Sequence, residues 1–126
     1  MRLLLDTHVL LWALTKSDRL SPRAVRLIED RRNQIWVSVA SIWELSIKYA
    51  LKKIEIDLPG LESVLEKSDF ALLPVMFRHA VQVSELPHYH GDPFDRMLIA
   101  QAIAETAHLL TNDSQLSKYG QTVMLI

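Results

Sequence analysis

Cysteine is missing altogether, which excludes disulfide stapling and thiol catalysis and accords with a reducing, cytoplasmic setting. Charge of one sign is missing too. With 15 acidic against 14 basic residues, no protein-wide basic field exists to hold a nucleic acid, so any such contact must come from a local patch. Glycine and proline are sparse, three and five residues, and no Gly/Ser tract, single-residue run or repeat of roughly 20 to 50 residues marks a linker or an array. Long apolar runs are absent as well. Only Met1 and Arg2 precede Leu3-Leu4-Leu5, and Asp6 breaks that run, so neither a secretory leader nor a membrane span is expected and the chain reads as soluble. The length suits one domain over residues 1–126, with a real core but no separate substrate domain.

What is present alternates strand and helix patterns. Leu3 to Leu5 suits a strand buried on both faces, and residues 9–14 continue at helical density. Ser21-Pro22 opens a second helix with a cap and a first-turn proline. Ile35-Trp36-Val37 reads as a strand, and residues 38–53 as a long helix with apolar positions at Val39, Ile42, Trp43, Leu45, Ile47 and Leu51. A short helix over 61–67, a strand over 70–73 and a helix over 77–85 follow. Asp92-Pro93 then opens an alanine-rich helix, His108-Leu109-Leu110 forms a strand, residues 112–118 a helical turn and residues 122–126 a last strand. Such alternation predicts an α/β fold, with a parallel sheet of about five strands between two helical layers joined by right-handed crossovers.

In that architecture the turns leaving the carboxyl ends of the strands share one edge, and five acids fall there: Asp6, Glu44, Asp92, Asp95 and Asp113. Gathered without a cation they would raise one another's pKa values, whereas Mg²⁺ or Mn²⁺ would keep them ionised, and an all-oxygen set favours such hard ions over zinc. Four of the five also have a plainer explanation. Ser41-Ile42-Trp43-Glu44 matches a capping box, Asp92 an N-cap before Pro93, Asp95 a dipole-stabilising acid in the first turn, and Asn112-Asp113-Ser114 a cap. Asp6 stands apart. Strand-core residues surround it, no cap pattern accounts for it, and a buried carboxylate needs a partner.

The segments Leu4-Leu5-Asp6-Thr7-His8-Val9-Leu10-Leu11-Trp12, Ser38-Val39-Ala40-Ser41-Ile42-Trp43-Glu44-Leu45, Asp92-Pro93-Phe94-Asp95-Arg96-Met97-Leu98-Ile99-Ala100-Gln101-Ala102 and Leu110-Thr111-Asn112-Asp113 resemble, in order and spacing, the four motifs of PIN-domain ribonucleases, and of VapC-type toxins in particular. The resemblance implies a three-layer PIN-like fold and an acidic quartet at Asp6, Glu44, Asp95 and Asp113 that binds Mg²⁺ or Mn²⁺. It places Asp92 behind the quartet as a supporting or capping residue. It implies RNA hydrolysis by a metal-activated water attacking in line, leaving a 5′-phosphate and a 3′-hydroxyl, with no general-base histidine. A small cognate antitoxin over the acidic groove and a homodimer are implied in the same way.

Around the quartet, Thr7, Thr111 and Asn112 offer hydroxyl and amide groups to orient acids or hold waters, or are ordinary turn residues. Arg96 and Lys48 are candidate phosphate contacts, with a helix ion pair to Glu44 the alternative for Lys48. Lys52 and Lys53 follow on the same helix pattern. His8 and His79 read as packed or surface residues. His88, Tyr89 and His90 form the loop before Asp92, where an aromatic ring would stack on a base. Trp36, Trp43, Tyr49 and Phe77 are more aromatic surface than so short a chain must bury and offer a partner surface, although core packing is the simpler reading. Two other functions stay open, a DNA- or structure-specific nuclease with the same acids and a non-catalytic protein-binding module in which every acid is a cap. A haloacid-dehalogenase-like phosphohydrolase would need a second acid two residues after the first, where this chain has His8.

Overall fold

In a computed structural model that describes all 126 residues, five parallel strands stand in the order β3-β2-β1-β4-β5. They are β1 (Arg2–Leu5), β2 (Gln34–Ser38), β3 (Phe70–Leu73), β4 (His108–Thr111) and β5 (Val123–Leu125). Between them run α1 (Thr7–Leu14), α2 (Pro22–Glu29), α3 (Val39–Ala50), α4 (Leu61–Lys67), α5 (Phe77–Val83) and α6 (Pro93–Ala104), with a 3₁₀ turn at Ser114–Tyr119.

The two-residue period of β1 divides the core. Leu3 and Leu5 pack with Val9, Leu10, Leu45 and Leu61 on one face, while Leu4 packs with Leu98, Ile99, Leu109 and Leu116 on the other. Helices therefore cover both faces, as parallel pairing requires. Leu98 is fully buried, and Leu98→Ala should cost about 3 kcal/mol in urea unfolding, the loss of buried methyl groups plus a cavity. A loss under about 1 kcal/mol would mean that this face of the sheet repacks freely.

The long helix expected over 38–53 stops sooner. Lys52 takes a left-handed conformation (φ 58°), so the chain leaves α3 after Ala50, and Lys52 and Lys53 project from the turn beyond it. Its start also differs from the capping-box reading. Ser38, the last residue of β2, is the cap, accepting from Ala40 N at 3.0 Å, which leaves Glu44 without a capping duty. No helix is long and apolar enough to cross a membrane.

Candidate active site

Strand order reverses between β1 and β4, where crossovers depart to opposite faces and a crevice opens at the carboxyl ends of the strands. Asp6 sits in that crevice, 3 % exposed. Its amide donates to Leu110 O of β4 at 3.0 Å, Thr111 Oγ1 donates to its Oδ2 at 2.6 Å, and His8 N donates to its Oδ1 at 3.1 Å. Asp6 is thus the N-cap of α1, a role its apolar surroundings hid in the sequence. A cap alone needs no charge, and none of the ion pairs in the protein includes Asp6.

Thr111 links two acids, because its hydroxyl also accepts from Asp113 N at 3.1 Å. Asp113 in turn caps the 3₁₀ turn through Gln115 N at 3.0 Å. Asp92 caps α6, accepting from Phe94 N at 2.8 Å and from Asp95 N at 3.0 Å, and so sets Asp95 in the first turn. Thr7 points elsewhere than expected for a water-holding group: its hydroxyl donates to Ser41 Oγ at 2.9 Å in the buried seam between α1 and α3. Asn112 is exposed.

Two further residues singled out in the sequence meet opposite surroundings. Glu44 Oε2 is paired with Lys48 Nζ at 3.2 Å, while its Oε1 is buried with no hydrogen-bond partner. Arg96 requires a correction. It is 6 % exposed and its guanidinium is spent on the protein itself, donating to Pro87 O (2.9 Å), Val83 O (3.3 Å), His90 O (3.4 Å), Leu86 O (3.5 Å) and Tyr119 Oη (3.1 Å). With both terminal nitrogens committed to the carbonyl-lined loop, only Nε is left without a partner, so the planar fork is not free to grip a phosphate in paired fashion.

A residue assigned no ligand role from the sequence joins the cluster. His90 Nε2 lies 2.7 Å from Asp95 Oδ2, and donor atoms of His90, Asp95 and Asp113 all fall within 4.8 Å of one another. Its only sequence cue is its place two residues before Asp92, in a loop whose course no periodicity reports. Burial first, then the Asp6 charge, push the Asp95 carboxyl up to about 6, against the opposing pull of its His90 hydrogen bond. The folded state therefore holds a proton between about pH 4 and 6 that the unfolded chain has released, so the chelator-treated protein loses stability as pH rises through that window. Asp95→Asn should be more stable than wild type above about pH 6 and lose that advantage below about pH 4. Equal urea midpoints for the two proteins at both ends would show that Asp95 is not strained.

The arrangement suits a small divalent cation, since the Asp95 and Asp113 carboxylates converge with His90 and one of them, Asp95, is reluctant to ionise alone, while Glu44 stands outside that group with a buried oxygen that has no hydrogen-bond partner. The fold and edge chemistry define an α/β domain with an acidic cluster at the carboxyl edge of its parallel sheet. A profile of the PIN domain matches residues 3–121, and the chain belongs to that family. Ribonuclease VapC22 of Mycobacterium tuberculosis is 28 % identical over 120 residues, covering 92 % of this chain and 90 % of that protein. Among solved structures, the VapBC2 complex of Rickettsia felis bound to a promoter DNA fragment contains a chain of the same fold, with TM-score 0.71 and 21 % identity over 100 % of this chain and 98 % of that one. A toxin–antitoxin complex from Klebsiella pneumoniae gives a TM-score of 0.66 at 16 % identity, over 96 % of this chain and 94 % of that one.

Proposed function

We propose that this PIN domain is a metal-dependent endoribonuclease, the toxin of a toxin–antitoxin pair. The observation that carries the reading is the junction of Asp6 and Asp113 through one hydroxyl, Thr111, at the switch point where Asp95 also arrives under the influence of the Asp6 charge. Similarity to a ribonuclease along most of the chain supports RNA as the substrate. Asp6, Asp95, Asp113 and Glu44 would hold Mg²⁺ or Mn²⁺, which when bound supplies charge stabilisation at the scissile phosphate and lowers the pKa of water. The chain's own part is positioning. Thr111 orients Asp6, Asp92 orients Asp95, and Lys48, still partly exposed beside Glu44, offers a positive charge toward the phosphate backbone.

Partner surface lies next to the acids. A groove of about 920 Å³ is lined by Val39, Trp43, Ile47, Val75, Phe94 and Met97. Trp43, 64 % exposed and edge-on to Phe94 at 5.1 Å, adjoins Glu44, and Phe94 adjoins Asp95. An apolar antitoxin segment laid in this groove would approach the carboxylates, in keeping with the toxin–antitoxin complexes that share the fold. Phe77, 86 % exposed with Met76 and Val81 also exposed, supports a homodimer.

The test is incubation of cellular RNA with the purified protein in Mg²⁺, in Mn²⁺ and in EDTA. Discrete fragments that need the metal establish the activity, and their ends identify the target. Cleavage of DNA with RNA left intact would replace the substrate in this reading, and no cleavage of either would remove the enzyme from it.

A further inference from the structure

We propose that His90 is itself a ligand of the divalent ion, making the site a mixed nitrogen and oxygen centre that favours Mn²⁺ over Mg²⁺. The inference rests on the metal-dependent reading above and adds to it a donor outside the acidic quartet.

Geometry carries it. Neighbouring ligands about 2.1 Å from an octahedral ion stand about 3 Å apart, and opposite ones about 4.2 Å. His90 Nε2 and Asp95 Oδ2 are 2.7 Å apart, and the Asp113 donor completes a group within 4.8 Å. Three donor atoms from a loop, the start of α6 and the turn after β4 therefore lie within 4.8 Å of one another, slightly wider than one coordination sphere, so that a small inward movement would bring all three onto one ion.

The loop is built to hold the ring there. Arg96 donates to the carbonyls of Pro87 and His90, at 2.9 and 3.4 Å, and to Tyr119 Oη at 3.1 Å. Tyr89 packs edge-on against Tyr119, with centroids 5.1 Å apart. His90 is thus fixed by the residue before it and by its own carbonyl.

Imidazole nitrogen is a borderline donor, which Mn²⁺ accepts more readily than Mg²⁺, an ion that keeps to oxygen and sheds water reluctantly. Removing the ring should therefore weaken Mn²⁺ binding more than Mg²⁺ binding.

Pulsed electron paramagnetic resonance of the intact protein loaded with Mn²⁺ reads the bond directly. Expected is a ¹⁴N coupling of a coordinated imidazole that vanishes in His90→Gln and persists in His88→Gln. His90→Gln keeps a hydrogen-bond donor for Asp95, so a ring with only that role would leave Mn²⁺ affinity unchanged, whereas a lost ligand weakens it about tenfold. Mg²⁺ affinity, measured by competition, should change less than about threefold. Mn²⁺ bound by wild type with no ¹⁴N coupling overturns the proposal and leaves the acidic metal site standing. Failure of the wild-type protein to bind Mn²⁺ at all overturns both.

Discussion

Asp6→Asn is expected to reduce metal-dependent RNA cleavage on the order of 10³-fold with the fold intact. The substitution removes charge but keeps shape. An amide oxygen still accepts from His8 N as the α1 cap, and the Thr111 hydroxyl, which now donates to Oδ2 at 2.6 Å, turns to accept from the new amide N–H. Stability should thus stay within about 1 kcal/mol of wild type, the scale of a single cap. Loss of the Asp6 charge also removes one cause that raises Asp95, so the Asp95 carboxyl should titrate lower, which carboxyl-resolved NMR can follow. Cleavage retained within about tenfold of wild type would relegate Asp6 to its capping role and would falsify the nuclease site as drawn.

Arg96→Met should be the most damaging polar substitution for stability, at about 3 kcal/mol or more in urea unfolding, because it strands carbonyls that the guanidinium now satisfies in a buried loop. Arg96→Lys should recover only part of the loss. An ammonium is a compact point donor and cannot span Val83 O, Pro87 O and Tyr119 Oη together. Amide exchange should rise over residues 87–91, and Mn²⁺ affinity should fall because His90 loses its anchor. A variant of wild-type stability with weakened RNA binding would instead restore Arg96 to the substrate.

These two residues mark how far the chain can be read without its fold. The order of strands and helices, the parallel sheet and the acidic edge follow from patterns that act over a few residues. Leu3-Leu4-Leu5 is apolar on both faces because the strand is covered on both. Ser21-Pro22 and Asp92-Pro93 cap their helices by local hydrogen bonds. The family motifs lie at strand ends and helix starts for the same reason, and the PIN profile spans them.

Side-chain direction and partner choice were decided elsewhere. Glu44 fits a capping box in sequence, yet α3 is capped three residues before Ser41, by Ser38, and Glu44 is left with a buried oxygen that has no hydrogen-bond partner. Arg96 adjoins Asp95 along the chain but turns away from the cleft, because the carbonyls of residues 83–90 form a pocket only once α5 and α6 pack together. His79, ambiguous in sequence, is wholly enclosed between those helices, its Nδ1 accepting from Met76 N at 2.9 Å. Trp43 and Phe77 read more simply as core, and the fold leaves both outside. Sequence by itself determined the element order and the edge where acids gather, since those depend on periodicity and caps. Only the tertiary structure decided that His90 meets Asp95 and Asp113, because contacts between a loop, a helix start and a strand end depend on crossover geometry that no local pattern encodes.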